Sequence, residues 1–364
     1  MSADAAGSEG ESGANGLRVT VLMGGTTAER DVSLASGREV VKALRAAGHD
    51  VVAIDTARGF LPPGEEGTLI PDAPGAEPPG LQELAAMVRG ELGPALGELP
   101  AIRRTDVVFL ALHGGSGEDG RLQALLDLVG VAYTGSGYLG SALAMDKQVS
   151  KWLFERAGIP TPAWRMAPAD AGTVEREIGF PVVVKPSKQG STVGLTVVRE
   201  PAALAPAIAT AYGFDDEVLI EKYIEGRELT VGILGERALP VVEIRPKHDV
   251  YDYECKYTKG MSEYLVPAPL SDAQAATIQE LAVRAHRVLK LSGFSRIDFR
   301  MDTAGGFHCL EANSVPGLTQ TSLLPKAAAA AGISFPALCD QIVRVALESR
   351  APRGTGAEGG APGR

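Results

Sequence analysis

Two pairs of polar side chains stand at matching positions in a predicted β-hairpin. Arg296 and Asp298 alternate with apolar residues in the run SRIDFRM, and Glu311 and Asn313 follow in the run FHCLEAN. Side chains on a strand alternate faces, so each pair shares one face of its strand. If the hairpin closes symmetrically about Ala304–Gly305, Asp298 lies opposite Glu311 and Arg296 lies opposite Asn313.

The facing carboxylates could hold a metal ion. Two such groups about 5 Å apart repel by roughly 3 kcal/mol at an effective dielectric of about 20. A divalent cation between them would offset that cost, and two acids with an amide oxygen suit Mg²⁺ better than Zn²⁺. A solvated hairpin face with one salt bridge at its rim explains the same residues. The carboxylate pair alone does not decide between the two interpretations.

The composition of the chain is that of an ordinary globular protein. It has 364 residues, of which 45% are hydrophobic and 22% are charged, enough for two or three domains. A net charge of −10 disfavours nucleic acid and anionic membranes as partners. Cys255, Cys309 and Cys339 show no metal or disulfide spacing, which favours reduced thiols and a cytoplasmic location. The first residues lack the features of a signal peptide, and no apolar run approaches the length of about 18 residues needed for a membrane span.

Apolar runs and turn residues predict three folded units between two disordered tails, residues 1–16 and 350–364. The first unit, 17–136, opens as strand, glycine turn, helix and strand, which predicts a parallel α/β sheet with any ligand at the carboxyl ends of its strands. The second, 137–224, and the third, 225–349, mix both element types and are predicted as α+β. The predicted strands are 17–23, 51–54, 106–112, 131–133, 181–185, 194–198, 218–223, 228–234 and 238–245. The predicted helices are 27–47, 81–92, 122–128, 138–157, 201–211, 271–290 and 334–348. Residues 57–80 and 246–264 are predicted as loops, and the second is long enough to suggest a functional lid.

Several residues outside the hairpin could act chemically, and each also has a structural explanation. The loop KPSKQGSTVG after Lys185 could point backbone N–H groups at a phosphate, or it could be a plain hairpin turn. Lys147, Glu221 and Glu228 could each be ordinary solvated or edge residues.

Two residues follow strands of the first sheet. Thr26 and Glu29 fit a capping box, which is a complete structural explanation. Glu29 also follows a Gly-Gly turn at the end of a strand, where it could bind a substrate ammonium. His113 lies in the next loop of this kind, where an α/β sheet binds ligands, although a lone histidine is usually structural.

Taken together and in order, these segments resemble the D-alanine–D-alanine ligases of the ATP-grasp superfamily, over roughly residues 17–347. The most specific segments are GGTTAERDVSL (24–34), LHGGSGEDG (112–120), YTGSG (133–137), MDK (145–147), KPSKQGSTVG (185–194), YDYECKY (251–257), SRIDF (295–299) and EANSVPGLTQTS (311–322). Residues 57–100 match the family poorly. The resemblance implies an ATP-grasp fold, in which a parallel α/β domain precedes two α+β domains that clasp ATP between antiparallel sheets.

The resemblance also implies a role for each candidate residue. For the nucleotide, Lys147 and Lys185 are expected to contact the phosphates. The adenine is expected to contact Glu221, Tyr223 and Ile224, and the ribose Glu228. Lys256 is a further expected contact with the nucleotide. For metal, they are Asp298, Glu311 and Asn313 around two Mg²⁺ ions, which Mn²⁺ could replace. For the substrates, they are Glu29 on the first ammonium, Ser322 and Leu323 on the second carboxylate, Arg296 and Gly317 on the oxyanion, and His113 lining the site without an assigned role. Ser191 and Tyr257 are expected to join Glu29 in a hydrogen-bonded set that closes the lid.

The implied reaction joins two D-alanines at the expense of ATP, through D-alanyl phosphate, for peptidoglycan precursors. One alternative is a relative that makes D-alanyl-D-lactate, and Tyr257 argues for the dipeptide. Another is an ATP-binding module without catalysis, against which the complete set of polar residues argues. The expected partners are D-alanine and ATP, with no nucleic acid or membrane, and the family implies a homodimer.

Overall fold

The computed structural model describes residues 16–63, 80–88, 93–247 and 260–350. It contains three β-sheets with helices packed against them. Each sheet lies inside one of the three units predicted from the sequence, so the combination of α/β and α+β parts is confirmed, while the unit boundaries stay a prediction.

The first sheet is parallel at its centre, as predicted. The elements of this part are β1 (Arg18–Met23), α1 (Arg30–Ala46), β2 (Asp50–Asp55), β3 (Gly59–Leu61), α2 (Leu81–Val88), α3 (Pro100–Arg103), β4 (Val107–Leu110) and α4 (Arg121–Val129). The strand order is β3-β2-β1-β4, and β1 pairs in parallel with both β2 and β4. The antiparallel edge strand β3 was not predicted. The predicted strand at 131–133 is reduced to one bridge between Val108 and Tyr133.

A buried ion pair joins the start of α1 to the end of β2. Arg30 and Asp55 are bidentate partners, with Nη1–Oδ1 and Nη2–Oδ2 distances of 3.0 and 2.5 Å, and their side chains are only 3% and 2% exposed. Arg30 Nη1 also donates to the carbonyl of Gly25 at 2.7 Å. The pair therefore holds the glycine turn, the helix start and the neighbouring strand end in one arrangement.

Replacing Arg30 by methionine should lower the free energy of unfolding by about 3–5 kcal/mol, because Asp55 is left buried without a counter-charge. The double variant Arg30→Met/Asp55→Asn should recover part of that loss. Urea denaturation of the two variants beside the parent measures both effects. A loss below about 1 kcal/mol in Arg30→Met would contradict the structural role of the pair.

The second sheet is antiparallel and is built from short strands. Its elements are α5 (Tyr138–Met145), α6 (Lys147–Arg156), β5 (Trp164–Met166), α7 (Ala171–Glu177), β6 (Val182–Pro186), β7 (Thr196–Val198), α8 (Leu204–Tyr212) and β8 (Val218–Lys222), in the strand order β5-β8-β6-β7. The single helix predicted over 138–157 is two helices. Asp146 interrupts it in an extended conformation and caps the second helix by accepting from the Val149 N–H at 3.0 Å.

The third sheet carries the predicted hairpin. Its elements are β9 (Gly226–Leu234), β10 (Arg237–Ala238), β11 (Val242–Pro246), β12 (Ser262–Leu265), α9 (Asp272–Val288), β13 (Phe294–Asp302), β14 (Phe307–Asn313), α10 (Leu323–Ala330) and α11 (Phe335–Arg350). The strand order is β12-β11-β9-β13-β14, with β10 on β9. The predicted strand at 238–245 is divided between β10 and β11. The loop prediction for 246–264 is wrong at its end, because β12 pairs with β11 there; residues 248–259 lie outside the described residues.

One apolar core joins the first sheet to the last helix. Val21 of β1 and Leu44 of α1 share this core with Leu338, Ile342 and Val343 of α11, and all five are fully buried. Across the described ranges, no single helix is long and apolar enough to cross a membrane, although the bent pair Leu323–Ala330 and Phe335–Ser349 meets the length and composition criteria together.

Candidate active site

The hairpin brings the four predicted polar residues together. Asp298 pairs with Glu311, and Arg296 pairs with Asn313, which confirms the predicted register. Arg296 Nε and Nη2 donate to the two oxygens of Asp298 at 2.9 and 2.7 Å. Asn313 Nδ2 and Thr230 Oγ1 donate to the same carboxylate at 3.0 and 2.6 Å. Asp298 is therefore held in place by three side chains from three strands, β13, β14 and β9.

The hairpin does not close symmetrically, because a β-bulge shifts the register between Asp298 and Phe299. Past the bulge Phe299 pairs with Cys309, so Leu310 is the extra residue of β14. Leu310 and Glu311 consequently both line the cavity described below, while Cys309 is fully buried in the core. The bulge lets β14 keep its apolar side in the core and still present Glu311 beside Asp298.

Lys147 connects the hairpin to the loop between β6 and β7. Its Nζ lies 3.3 Å from Glu311 Oε2 and donates to the carbonyls of Gln189 and Ser187 at 2.8 and 3.3 Å. The break at Asp146 places Lys147 at the first position of α6, and its side chain is only 8% exposed. The local interpretation of Lys147 as a solvated lysine is therefore wrong.

A second cluster contains two lysines on one buried carboxylate. Glu221 Oε1 lies 2.5 Å from Lys185 Nζ, and Glu221 Oε2 lies 2.7 Å from Lys151 Nζ. Burial alone would raise the pKa of Glu221, but the two lysine charges outweigh it and hold that pKa below its ordinary value. The edge position suggested for Glu221 by sequence is also wrong, since its side chain is 4% exposed.

Arg300 positions the segment that follows β8. Its Nε donates to the Ile224 carbonyl at 3.1 Å, and its Nη1 lies 3.2 Å from Glu228 Oε2. Its guanidinium also stands 5.5 Å from the centre of the Tyr223 ring. Glu228 is thus tied to the hairpin rather than being a free surface residue.

Glu29 does not form the predicted capping box with Thr26. Helix α1 begins at Arg30, so Glu29 occupies the N-cap position, and its side chain makes no capping hydrogen bond. Instead its Oε1 accepts a hydrogen bond from Ser191 Oγ, across from the first sheet to the β6–β7 loop. A Cβ at Gly190 would lie 2.8 Å from Glu29 Oε2, so glycine permits this close approach.

His113 links two loops of the site. Its Nδ1 lies 3.0 Å from the Val315 carbonyl, and its Nε2 lies 3.0 Å from Ser36 Oγ. Because a carbonyl can only accept, Nδ1 carries the proton. Burial lowers the pKa of His113, which keeps the ring neutral. His113 therefore fastens the segment after β14 to the first sheet.

Ser322 stands at the N-cap of α10 but caps nothing with its side chain. Its Oγ accepts from the Thr319 N–H at 3.1 Å and lies 2.8 Å from Thr319 Oγ1. Gly317 packs against the same hydroxyl, since a Cβ there would approach it to 3.1 Å. The loop is thus folded back on itself ahead of Leu323.

These residues surround two adjoining cavities between the three sheets. The first, about 110 Å³, is lined by Lys147, Lys185, Ser191, Glu221, Tyr223, Ile224, Glu228, Arg296, Asp298, Glu311 and Leu323 among others. The second, about 340 Å³, is lined by Glu29, His113, Ser191, Arg296, Glu311, Asn313, Gly317, Ser322 and Leu323 among others. Every predicted site residue in the described ranges lines at least one cavity. Lys256, Tyr257 and Cys255 lie outside the described residues.

Comparison with known proteins identifies the arrangement. The family model "D-ala D-ala ligase N-terminus" matches residues 18–136, and "D-ala D-ala ligase C-terminus" matches residues 153–344. The D-alanine–D-alanine ligase of Halalkalibacterium halodurans is 41% identical over 340 residues, which cover 91% of this chain and 100% of that protein. That of Anaeromyxobacter dehalogenans is 40% identical over 332 residues, covering 90% and 96%.

The chain belongs to the D-alanine–D-alanine ligase family. Two crystal structures of the ligase of Bacillus anthracis, one of them complexed with ATP, each match this structure with a TM-score of 0.70 and 30% identity, covering 92% of this chain and 98% of that one. The ATP-grasp fold expected from the sequence is confirmed.

Sequence reasoning missed three residues of this ligase site. Lys151 lies one helical turn after Lys147, where it looks like an ordinary surface lysine. Arg300 continues the alternation of Arg296 and Asp298 along β13, and that period was the available signal. Glu118 lies in the LHGGSGEDG segment and lines the second cavity.

Glu118 is a carboxyl group held close to Glu29. Its Oε2 accepts from the Gly114 N–H at 2.7 Å. Burial, together with the charge of Glu29, raises the pKa of Glu118 to about 8. Glu118 and Glu29 both line the second cavity.

The raised pKa of Glu118 predicts the direction in which the stability of the fold changes with pH. Between pH 4.5 and about 8 the unfolded chain loses the Glu118 proton while the folded chain keeps it, so stability falls as pH rises. Glu118→Gln removes this contribution, so the variant should gain stability relative to the parent across that window. Thermal melts at several pH values measure the difference. For the matched variant Glu200→Gln, at an exposed position, the stability difference from the parent should not change with pH. A difference that is likewise independent of pH in Glu118→Gln would contradict the raised pKa of Glu118.

The hairpin residues fit the hard metal ions implied by the family. No group of three or more His, Cys, Asp or Glu residues able to hold a metal occurs within the described ranges. The predicted set therefore offers two carboxylates and an amide, Asp298, Glu311 and Asn313. Mg²⁺ characteristically binds one or two carboxylates and takes its remaining ligands from water and substrate phosphates. An all-protein cage is not required, and the donor set fits.

Proposed function

We propose that this chain is an ATP-dependent ligase that joins two D-alanine molecules into D-alanyl-D-alanine for peptidoglycan precursors. The observation that carries the proposal is the pair of adjoining cavities. Lys147 and Lys185 line the first, Glu29 lines the second, and Arg296 and Glu311 line both. A polyphosphate and an amino acid held in the two cavities would meet at the hairpin.

The first cavity is the proposed nucleotide site. The ammonium groups of Lys147 and Lys185 would bind phosphates, and the β6–β7 loop would cover them. The strand that ends at Glu221, with the backbone at Tyr223 and Ile224, would hold adenine, and Glu228 would hold the ribose. The complex of the Bacillus anthracis relative with ATP supports ATP as the nucleotide. Lys256, outside the described residues, is proposed as a further contact.

Asp298, Glu311 and Asn313 would hold two Mg²⁺ ions, for which Mn²⁺ could substitute. When bound, such ions neutralise charge on the transferring phosphoryl group. Arg296, Asn313 and Thr230 fix the Asp298 carboxylate, and Lys147 lies beside Glu311, so both acids are oriented before any ligand arrives. Orientation before binding lowers the cost of assembling the site.

The second cavity is the proposed amino-acid site. Glu29 would bind the ammonium of the first D-alanine, whose carboxylate attacks the γ-phosphate of ATP to give D-alanyl phosphate and ADP. The amine of the second D-alanine then attacks that carbonyl, and phosphate leaves. Arg296 and the Gly317 N–H would stabilise the oxyanion, while Ser322 and the Leu323 N–H would hold the second carboxylate.

Acyl phosphates hydrolyse in water, so the reaction needs a cover over the site. Residues 246–264 are proposed as that lid, with β12 as its fixed end. The hydrogen bond from Ser191 to Glu29 already joins the β6–β7 loop to the first sheet. Tyr257 is proposed to complete this set when the lid closes.

A phosphate-release assay tests the proposal. ATP and Mg²⁺ should give phosphate with D-alanine, and little with L-alanine or without amino acid. A second set with D-alanine plus D-lactate, analysed for product, distinguishes the dipeptide from the ester. Absence of D-alanine-dependent phosphate release would overturn the proposal and favour a non-catalytic ATP-binding module. A homodimer and a cytoplasmic location also stay predictions.

A further inference from the structure

Lys151 is buried in the cluster beneath the nucleotide cavity without reaching that cavity. Its side chain is 0% exposed, and its Nζ contacts Glu221 Oε2 and Thr161 Oγ1, each at 2.7 Å. Thr161 Oγ1 donates in turn to the Cys309 carbonyl at 2.9 Å. Lys151 is therefore locked between β14 and β8, where it cannot touch a ligand in either cavity.

The cluster holds more positive than negative charge. Lys151 and Lys185 share the one carboxylate of Glu221, with one oxygen for each lysine. Of the two lysines, only Lys185 lines the cavity. Without Lys151, both oxygens of Glu221 would be available to Lys185, and the net charge of the cluster would fall from +1 to zero.

We propose that Lys151 is a positioning residue for nucleotide binding: it engages the charge of Glu221 so that Lys185 keeps a positive charge for the polyphosphate. This inference rests on the proposed function, in which Lys185 binds phosphate. The negative charge of a bound polyphosphate would then compensate the one positive charge that the cluster retains on the cavity side.

The pKa values of the two lysines shift in opposite directions, although both lysines contact the same carboxylate. Burial would lower the pKa of Lys185, but Glu221, Glu311 and Asp298 together outweigh it and the pKa is raised, so Lys185 stays charged. Burial lowers the pKa of Lys151 despite the same carboxylate. The Glu221 carboxylate lies between the two ammonium groups, with one oxygen 2.5 Å from Lys185 Nζ and the other 2.7 Å from Lys151 Nζ.

The test measures how much the phosphates contribute to binding. Calorimetry on the full chain measures two dissociation constants, that of adenosine and that of β,γ-imido-ATP with Mg²⁺. The ratio of the adenosine constant to the β,γ-imido-ATP constant gives the contribution of the phosphates. Lys151→Met should weaken β,γ-imido-ATP by about 10- to 100-fold and adenosine little. Lys290→Met, at an exposed position, should change neither.

The double variant Lys151→Met/Glu221→Gln decides between charge and packing. It removes one charge of each sign, so Lys185 regains an uncompensated charge and the ratio should return to within about threefold of the parent. The double variant also tests the inference if Lys151→Met does not fold, because it removes one buried charge of each sign. A ratio that stays low in the double variant, or an equal loss for adenosine, would overturn the inference.

Kinetics separate this inference from the proposed function. In Lys151→Met the KM for ATP should rise, while the KM for D-alanine should change little. If the parent releases no phosphate with D-alanine, the proposed function fails, yet the two binding constants still decide the role of Lys151.

Discussion

Replacing Glu311 by glutamine should nearly abolish turnover while leaving the fold intact. The amide keeps the size of the side chain but removes one of the two charges that would balance Mg²⁺. Losing about 3–4 kcal/mol of transition-state stabilisation would slow the reaction by about 10²- to 10³-fold. The melting temperature should move little, because relief from the facing Asp298 offsets the lost ion pair with Lys147, and the Glu311 side chain is 27% exposed. Steady-state phosphate release and thermal melts measure the two quantities.

The control for Glu311→Gln is Glu280→Gln, the same change on α9 at a side chain that is 74% exposed. It should retain parental turnover. Raising Mg²⁺ should partly restore Glu311→Gln if the loss is one of metal affinity. Parental turnover in Glu311→Gln at ordinary Mg²⁺ would remove the metal assignment.

Replacing Glu29 by glutamine should raise the KM for the first D-alanine by about 10- to 100-fold, as expected for loss of a charged hydrogen bond. The KM for ATP should change much less. The melting temperature should stay within a degree or two, because the Glu29 side chain makes no capping hydrogen bond that the change could remove. Initial rates at varied D-alanine, with ATP saturating, give the first quantity.

Asp31→Asn is the matched control for Glu29. Asp31 lies in the first turn of the same helix and lines neither cavity. Removing its charge should cost only the helix-dipole interaction, about 0.3–1 kcal/mol of stability, and leave kinetics unchanged. The opposite pattern in Glu29→Gln, a lowered melting point with unchanged KM, would reject its role in substrate binding.

The hairpin register could be predicted because strand alternation and turn residues are local signals. The bulge at Leu310 could not, since no glycine or proline marks it and only the sheet context requires it. The capping box at Thr26 failed because the chain turns once more after it, with the Arg30 N–H donating to the Thr27 carbonyl at 3.1 Å, and the helix begins only at Arg30. Local sequence therefore gave the pairing of the site residues but not where the neighbouring elements begin.

The burial and ion pairing of the charged residues could not be predicted from local sequence. Lys151 and Glu221 look like solvated residues along the sequence, and only packing shows that they neutralise each other in the interior. Glu118 likewise owes its pKa to burial and to Glu29, which is 89 positions away in the chain. The resemblance to the family supplied residues that local patterns left undecided, and the structure placed those in its described ranges around the two cavities.

The core shared by β1, α1 and α11 has a consequence for synthesis on the ribosome. The first sheet emerges early, but the helix that covers Val21 and Leu44 emerges more than 200 residues later. At about 5–20 residues per second, that apolar face waits on the order of 10–45 s for its cover. During that interval the nascent first domain resembles a folding intermediate, and chaperones have their opportunity to bind it there. Premature termination before Phe335 would leave the same face exposed permanently and direct the fragment toward aggregation or proteolysis.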